Sequence, residues 1–192
     1  MSTLSLWNVT LAVAAGYLIG SFPTGVLVSR LLGGPDPRRT GSGHTGGTNI
    51  RRLFGWPAAI FTGAVDILKG LAAVWLVSQV VSSPWALPLT GIAAVAGHCW
   101  SAFASYRGGM GVATAAGLAG WYFPLAIPIT GAFYFLLQRL LRHQARAMMI
   151  AAALIPLVLL TLRVDLPRLT LGVGISLLLI LRFASDFYRV YD

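Results

Sequence analysis

Glutamate is absent, lysine and cysteine each occur once, as Lys69 and Cys99, and only 10% of the 192 residues are charged. A soluble domain carries about 25% charged residues, so a surface facing water all round is excluded. A lone cysteine excludes a disulfide framework and a cysteine metal cluster. The chain has no H-E-x-x-H and no carboxylate-rich cluster, so no metal site is expected. The nearest approach to a Walker A loop, Gly41 to Thr48, lacks its lysine, which rules out a nucleotide-binding P-loop. No Ser-His-Asp set is readable from spacing. No basic reading motif or aromatic-basic strip is present, so nucleic acid is not an expected partner. No Lys or Arg precedes Arg30. The first apolar run therefore lacks the basic start of a secretory signal peptide and is expected to be a retained span.

What is present is apolar surface and arginine. Hydrophobic residues make up 57% of the chain, with a mean hydropathy of +0.78. This predicts one integral membrane domain covering residues 1–192. The net charge of +9 points to cytoplasmic loops and anionic partners.

Leu6 to Leu32 is long enough to cross a bilayer, which takes roughly 20 residues. Gly20-Ser21-Phe22-Pro23-Thr24-Gly25 interrupts it. Such a break is tolerated beside a cavity or where neighbours repair the backbone. A simple kinked helix is the plainer reading and is preferred from this feature alone. A second span runs from Trp56 to Val81. It carries Asp66 and Lys69 on one helix face, with Asp66 about 14 Å past Pro57. An internal ion pair accounts for them at least as well as a catalytic role. At that depth Asp66 is not expected to meet His98. Trp85 to Ala104 forms a third, short span. Val112 to Gln138 is divided by Pro124 and Pro128 and reads as a hairpin of two short helices. Ala147 to Leu162 and a short Leu169 to Leu181 complete the set.

Arg30, Arg38, Arg39, Arg51, Arg52, Arg107, Arg139, Arg142, Arg146, Arg182 and Arg189 can share one side of the membrane, with only Arg163 and Arg168 opposite. The positive-inside rule puts that side in the cytoplasm and the amino terminus outside. The fold class is all-α, a polytopic bundle with about seven crossings.

Two polar stretches fall on the cytoplasmic side. Thr40 to Arg52 reads TGSGHTGGTNIRR, and Tyr106 to Thr114 reads YRGGMGVAT. Backbone N–H groups of glycine turns cradle phosphate, and arginines clamp it. The bland alternative is a basic loop touching lipid headgroups. His44 can donate to phosphate or be simply solvated. His98, at a helix end, is better suited to orienting a loop than to moving a proton.

The chain resembles the bacterial acyl-phosphate–glycerol-3-phosphate acyltransferases. Tyr17 to Pro23 is similar to the family's Y-L-x-G-S-x-P. Arg38 to Arg52 is similar to R-x-x-G-S-G-N-x-G-A-T-N-x-x-R, and Asp66 to Gly70 to D-x-x-K-G. Gly97-His98 followed by Tyr106 to Thr114 resembles G-H and F-x-G-G-K-G-V-A-T. The resemblance runs from about Tyr17 to Gly117. It implies a seven-helix membrane protein of the bacterial plasma membrane with a cytoplasmic site. The implied reaction makes 1-acylglycerol 3-phosphate (lysophosphatidic acid) for phospholipid synthesis, without coenzyme A, any other cofactor or a covalent enzyme intermediate. Implied partners are acyl phosphate, glycerol 3-phosphate and membrane lipid. Ser42 and Arg52 are the implied catalytic residues. Gly41, Gly43, Thr48, Asn49, Gly108, Gly109, Gly111, Thr114 and His98 are implied to bind substrate.

Five positions depart from the family pattern. His44 replaces the asparagine after G-S-G, and Met110 the glycine-turn lysine. Ala145 stands where the third motif has serine. In the tail motif, Phe183 replaces histidine and Asp186 asparagine. Each change removes a donor or cation, so a non-catalytic paralogue that binds lipid or acyl phosphate, or partners an active copy, is the second expectation. A transporter is a third, favoured only by the interrupted first span and the Asp66–Lys69 pair; no inverted repeat supports it.

Overall fold

The computed structural model describes residues 3–122 and 126–189, and among these every regular element is helical. Five stretches are long and apolar enough to cross a membrane: Leu6–Leu31, Gly47–Ser78, Ala86–Ala104, Gln144–Thr161 and Leu166–Ala184. The protein is an all-α, polytopic membrane protein. The chain divides into two compact units, Met1–Leu118 and Ala119–Asp192.

In the first unit, α1 (Thr3–Gly20) and α2 (Thr24–Leu31) are separate helices. The single kinked helix expected from sequence is corrected here: Pro23 lies in non-helical backbone between them. α1 packs closely against α4 (Ala86–Cys99). A Cβ at Gly16 would strike Thr90, one at Gly20 the carbonyl of Ala94, and one at Gly97 the carbonyl of Tyr17. The two helices therefore run parallel, backbone against backbone, as small residues allow in membranes. Their far end is closed by Val9, Ala12, Val77 and Ala86.

α3 (Gly47–Ser78) begins inside the first polar stretch, earlier than the expected Trp56. Gly55 interrupts it with φ 82°, ψ −174°, a conformation closed to residues with a Cβ. There the chain doubles back, so that a Cβ on Gly47 would sit 3.1 Å from the carbonyl of Ala59. The glycine loop is thus carried alongside the span that follows it. α5 (Val112–Tyr122) starts against α3, with Gly70 facing Thr114 and Gly117 facing Ile67.

In the second unit, α6 is Ala126–Leu141, α7 Gln144–Thr161 and α8 Leu166–Ala184. α7 and α8 pack antiparallel, with Gly172 against Leu159 and the Ser176 hydroxyl donating to the Ala152 carbonyl. α8 is longer than the expected Leu169 to Leu181. Asp165 caps it by accepting from the Arg168 N–H at 2.9 Å. His143 caps α7 in the same way through its imidazole. The turn expected at Pro124 lies outside the described residues.

Candidate active site

Asn49 organises the first polar stretch. It is 1% exposed. Its amide Nδ2 donates to the carbonyls of Pro37 (3.0 Å), Thr40 (3.0 Å) and His44 (2.9 Å). Its Oδ1 accepts from the Ser42 N–H at 3.0 Å. One side chain thus reaches four backbone groups of the loop, its two amide hydrogens shared among three carbonyls. Gly41 and Gly43, at φ 62° and 78°, make the turns that wrap around it. Upstream, Asp36 accepts from the Arg38 N–H and ion-pairs with its guanidinium at 2.7 Å. The Arg38 hydrogen bond holds the Asp36 carboxyl down at about 2.

The second polar stretch folds back on the end of α4. The Gly108 N–H donates to the Cys99 carbonyl and the Gly109 N–H to the His98 carbonyl, both at 3.1 Å. The two stretches then meet: the Thr45 N–H donates to the Gly108 carbonyl at 3.4 Å.

Below them lies a buried polar floor. Asp66 Oδ1 accepts from the Thr24 hydroxyl at 2.9 Å and pairs with Lys69 Nζ at 2.8 Å. Lys69 also donates to the Phe22 carbonyl at 3.0 Å. The expectation that Asp66 lies out of reach of His98 is corrected, since His98 Nδ1 is 3.6 Å from Asp66 Oδ1. α4 has only 14 residues, so its last turn ends at the depth of the break in the first span. Tyr17 Oη donates to the Trp100 carbonyl at 2.7 Å, and the Ser101 hydroxyl donates to the Ser21 carbonyl. These bonds repair the broken backbone, as irregular chain at membrane depth requires.

The implied site residues separate by environment. Ser42 and Arg52 are half-buried, Gly41 and Thr48 are exposed, and His44 and Met110 are half-buried. Gly108, Gly109 and Gly111 are buried in the turn, where they offer backbone rather than side chain. Asn49, His98 and Thr114 are buried and face protein. Asn49 binds the carbonyls of the first loop, and the His98 carbonyl receives the Gly109 N–H of the second. Thr24, Ser21, Ser101 and Tyr17 belong to the floor and were not singled out from sequence as site residues. Tyr17 and Ser21 lie in the Tyr17–Pro23 stretch that resembles the family motif, and Thr24 adjoins the break at Pro23.

Ala145, Phe183 and Asp186 lie in the second unit and are all buried. The Arg189 guanidinium is 3.6 Å from Asp186 Oδ1. Phe187 packs on the His143 ring and beneath the Arg146 guanidinium, 4.8 Å from its ring centre. The positions where the family pattern has polar residues thus include an apolar and ion-paired cluster.

Residues 10–192 match the family model described as Glycerol-3-phosphate acyltransferase. The chain belongs to that family. A glycerol-3-phosphate acyltransferase of Photobacterium profundum is 35% identical over 188 residues, covering 96% of this chain and 90% of that protein. One of Rubrobacter xylanophilus is 49% identical over 107 residues, a match that spans 56% of this chain and about half (53%) of its relative. The crystal structure of PlsY (YgiH), an integral membrane glycerol 3-phosphate acyltransferase, in its glycerol 3-phosphate form is 29% identical. It has a TM-score of 0.82 and covers 96% of this chain and 90% of that one. The lysophosphatidic acid form of PlsY gives a TM-score of 0.80 at 28% identity. Family membership extends past Gly117, where the sequence resemblance fades, through the buried Phe183 and Asp186.

Proposed function

We propose that this acyltransferase moves an acyl group from acyl phosphate to glycerol 3-phosphate, in the plasma membrane of a bacterium. A hydroxyl oxygen of glycerol 3-phosphate bonds to the acyl carbonyl carbon. The bond from that carbon to the phosphate oxygen breaks, and inorganic phosphate leaves carrying the hydroxyl proton. The products are 1-acylglycerol 3-phosphate and phosphate, and no cofactor takes part. The donor is already an activated mixed anhydride, so positioning and charge stabilisation carry the catalysis. Ser42 and Arg52 touch the reacting phosphates, together with Thr48, Gly41 and the Gly111 end of the second turn, while Gly43, Gly108 and Gly109 shape the turns by donating to the carbonyls of Thr40, Cys99 and His98. Asn49, His98 and Thr114 hold those groups from behind, and the acyl chain lies between apolar helices.

The observation that carries this reading is the meeting of the two glycine stretches at Thr45 and Gly108, in a chain of this family. It supports a single phosphate-binding surface made from both. The purified protein should transfer acyl groups when given acyl phosphate and glycerol 3-phosphate, and should not use acyl-coenzyme A. Absence of transfer by folded protein would leave only the binding paralogue.

The chain acts as one domain with about seven crossings, α5 and α6 supplying two of them, and its site opens to the cytoplasm. Arginine segregation supports that orientation. A cysteine placed at position 40 should resist an impermeant thiol reagent added outside intact cells, and one at position 3 should react. Native Cys99 is buried and silent in this assay. External labelling at position 40 would reverse the orientation.

A further inference from the structure

We infer that Asp66 and His98 form a positioning pair that holds the Gly108–Gly111 turn in its phosphate-binding shape. This rests on the reading that the turn contacts phosphate. His98 is the penultimate residue of α4 and is 5% exposed. Its carbonyl accepts from the Gly109 N–H at 3.1 Å, and a Cβ on Gly109 would overlap its Nε2. One edge of the imidazole is therefore the surface on which the turn rests. The other edge presents Nδ1 to Asp66 Oδ1 at 3.6 Å. That distance is ion-pair range rather than a hydrogen bond; it sets the facing of the ring electrostatically.

Asp66 is itself fixed from two sides by Thr24 and Lys69, and Lys69 by the Phe22 carbonyl. Neutralising Lys69 needs only the pair within α3. It does not need an imidazole on the far side of the carboxylate, where any apolar side chain would fill the space. Buried ionisable groups inside a membrane are costly and are retained for a task. Here the task follows from the connections. Asp66 orients His98, His98 supports Gly109, and Gly108 accepts from Thr45 of the first loop. Both phosphate-contacting elements are thereby set by a pair that touches no substrate.

Three variants of the full chain in detergent separate this role from simple packing. His98→Phe keeps a ring beneath Gly109 and removes Nδ1. His98→Asn places an amide near the Nδ1 position. Asp66→Asn keeps an oxygen for Thr24 and removes the charge. Binding of inorganic phosphate is measured by calorimetry without any acyl donor. KM and kcat for glycerol 3-phosphate are measured alongside, and wild-type-like elution on gel filtration is required of every variant. His98→Phe should weaken phosphate binding and raise KM by about tenfold with little change in kcat, the signature of a loop no longer held in place. His98→Asn should recover part of that loss, because it restores a polar group facing Asp66 but not the edge beneath Gly109. Asp66→Asn also unpairs Lys69, so it carries a cost of its own, but it should cost less when added to His98→Phe than when made in the wild type. Phosphate binding by His98→Phe equal to wild type, no recovery in His98→Asn, or additive losses in the double variant would each overturn the pair. So would a wild type that binds no phosphate. Phosphate binding that depends on the pair, in a protein with no acyl transfer, would sink the catalytic reading and leave this one standing.

Discussion

The backbone N–H of Thr45 donates to the carbonyl of Gly108 across 3.4 Å. Thr45 follows the turns wrapped on Asn49, and Gly108 opens the turn seated on His98. The turns of the first stretch are wrapped on the Asn49 side chain, and those of the second hang on the carbonyls of His98 and Cys99 at the end of α4. The Thr45–Gly108 bond joins the two glycine stretches directly.

Arg52 and Arg39 test which arginines face substrate. Arg52 is half-buried in the first part of α3, while Arg39 is exposed ahead of the glycine turns. Arg52→Ala should raise KM for glycerol 3-phosphate by about 10- to 100-fold, the worth of a charge-assisted hydrogen bond. Arg39→Ala should change it less than about threefold, as expected of a solvated charge. Steady-state kinetics of both variants decides it, and equal effects would favour a loop that serves only lipid headgroups.

Asn49→Ala strips four hydrogen bonds from the loop at once. At about 1 kcal/mol each, the loss is about 2–4 kcal/mol, confined to residues 37–45. Amide exchange there should speed up by about 30- to 1,000-fold while α1 and α4 stay protected. Unchanged exchange at Ser42 would show that something else folds the loop.

Met110 stands half-buried between Gly109 and Gly111. A lysine there would bring an ammonium to the turn as a point charge. Met110→Lys should tighten phosphate binding and raise acyl transfer. Phe183→His with Asp186→Asn is built separately and in combination, because groups acting as a unit are non-additive. Transfer to glycerol 3-phosphate is measured for every variant. A wild-type rate that falls when lysine is introduced would show a site rebuilt around methionine.

Asp36 gives a pH dependence with a definite sign. Its carboxyl is held near 2 in the folded protein against 3.8 ordinarily. The folded state therefore binds the proton less readily than the unfolded chain does. The stabilisation is present above about pH 4 and is lost as pH falls through about 2. Arg38→Ala should return the Asp36 titration midpoint toward 3.8, read from its carboxyl carbon resonance. A midpoint that stays near 2 would mean that Arg38 is not the cause.

The helical class, the spans and the two glycine stretches were legible because apolar run length and glycine clustering are local properties. The carbonyls that Asn49 binds were not legible, since they follow from how the loop folds and not from composition. The Asp66–His98 contact was missed for a related reason. Depth counted along α3 from Pro57 takes no account of where α4 stops, and α4 stops short. The break at Pro23 carried a visible signal, but a kink and a break look the same in sequence. What separates them is Trp100, Ser101 and Lys69, distant parts of the chain that bond to Tyr17, Ser21 and Phe22 at the break. The beginning of α3 at Gly47 was hidden by Gly55, whose φ of 82° lets the helix fold back before it crosses.

The Asp66–Lys69 pair lies within one helix, at i and i+3. During synthesis both charges emerge almost together, and Thr24 and Phe22 have emerged before them. A lone Asp or Lys at the centre of an inserting helix costs about 2.5–3.5 kcal/mol on the insertion scale. Here the span can enter lipid already neutralised and already bonded to its predecessor, before His98 has been made. In chain order Phe22, Thr24, Asp66 and Lys69 all precede His98, so the ion pair and its two partners are complete before the imidazole is made.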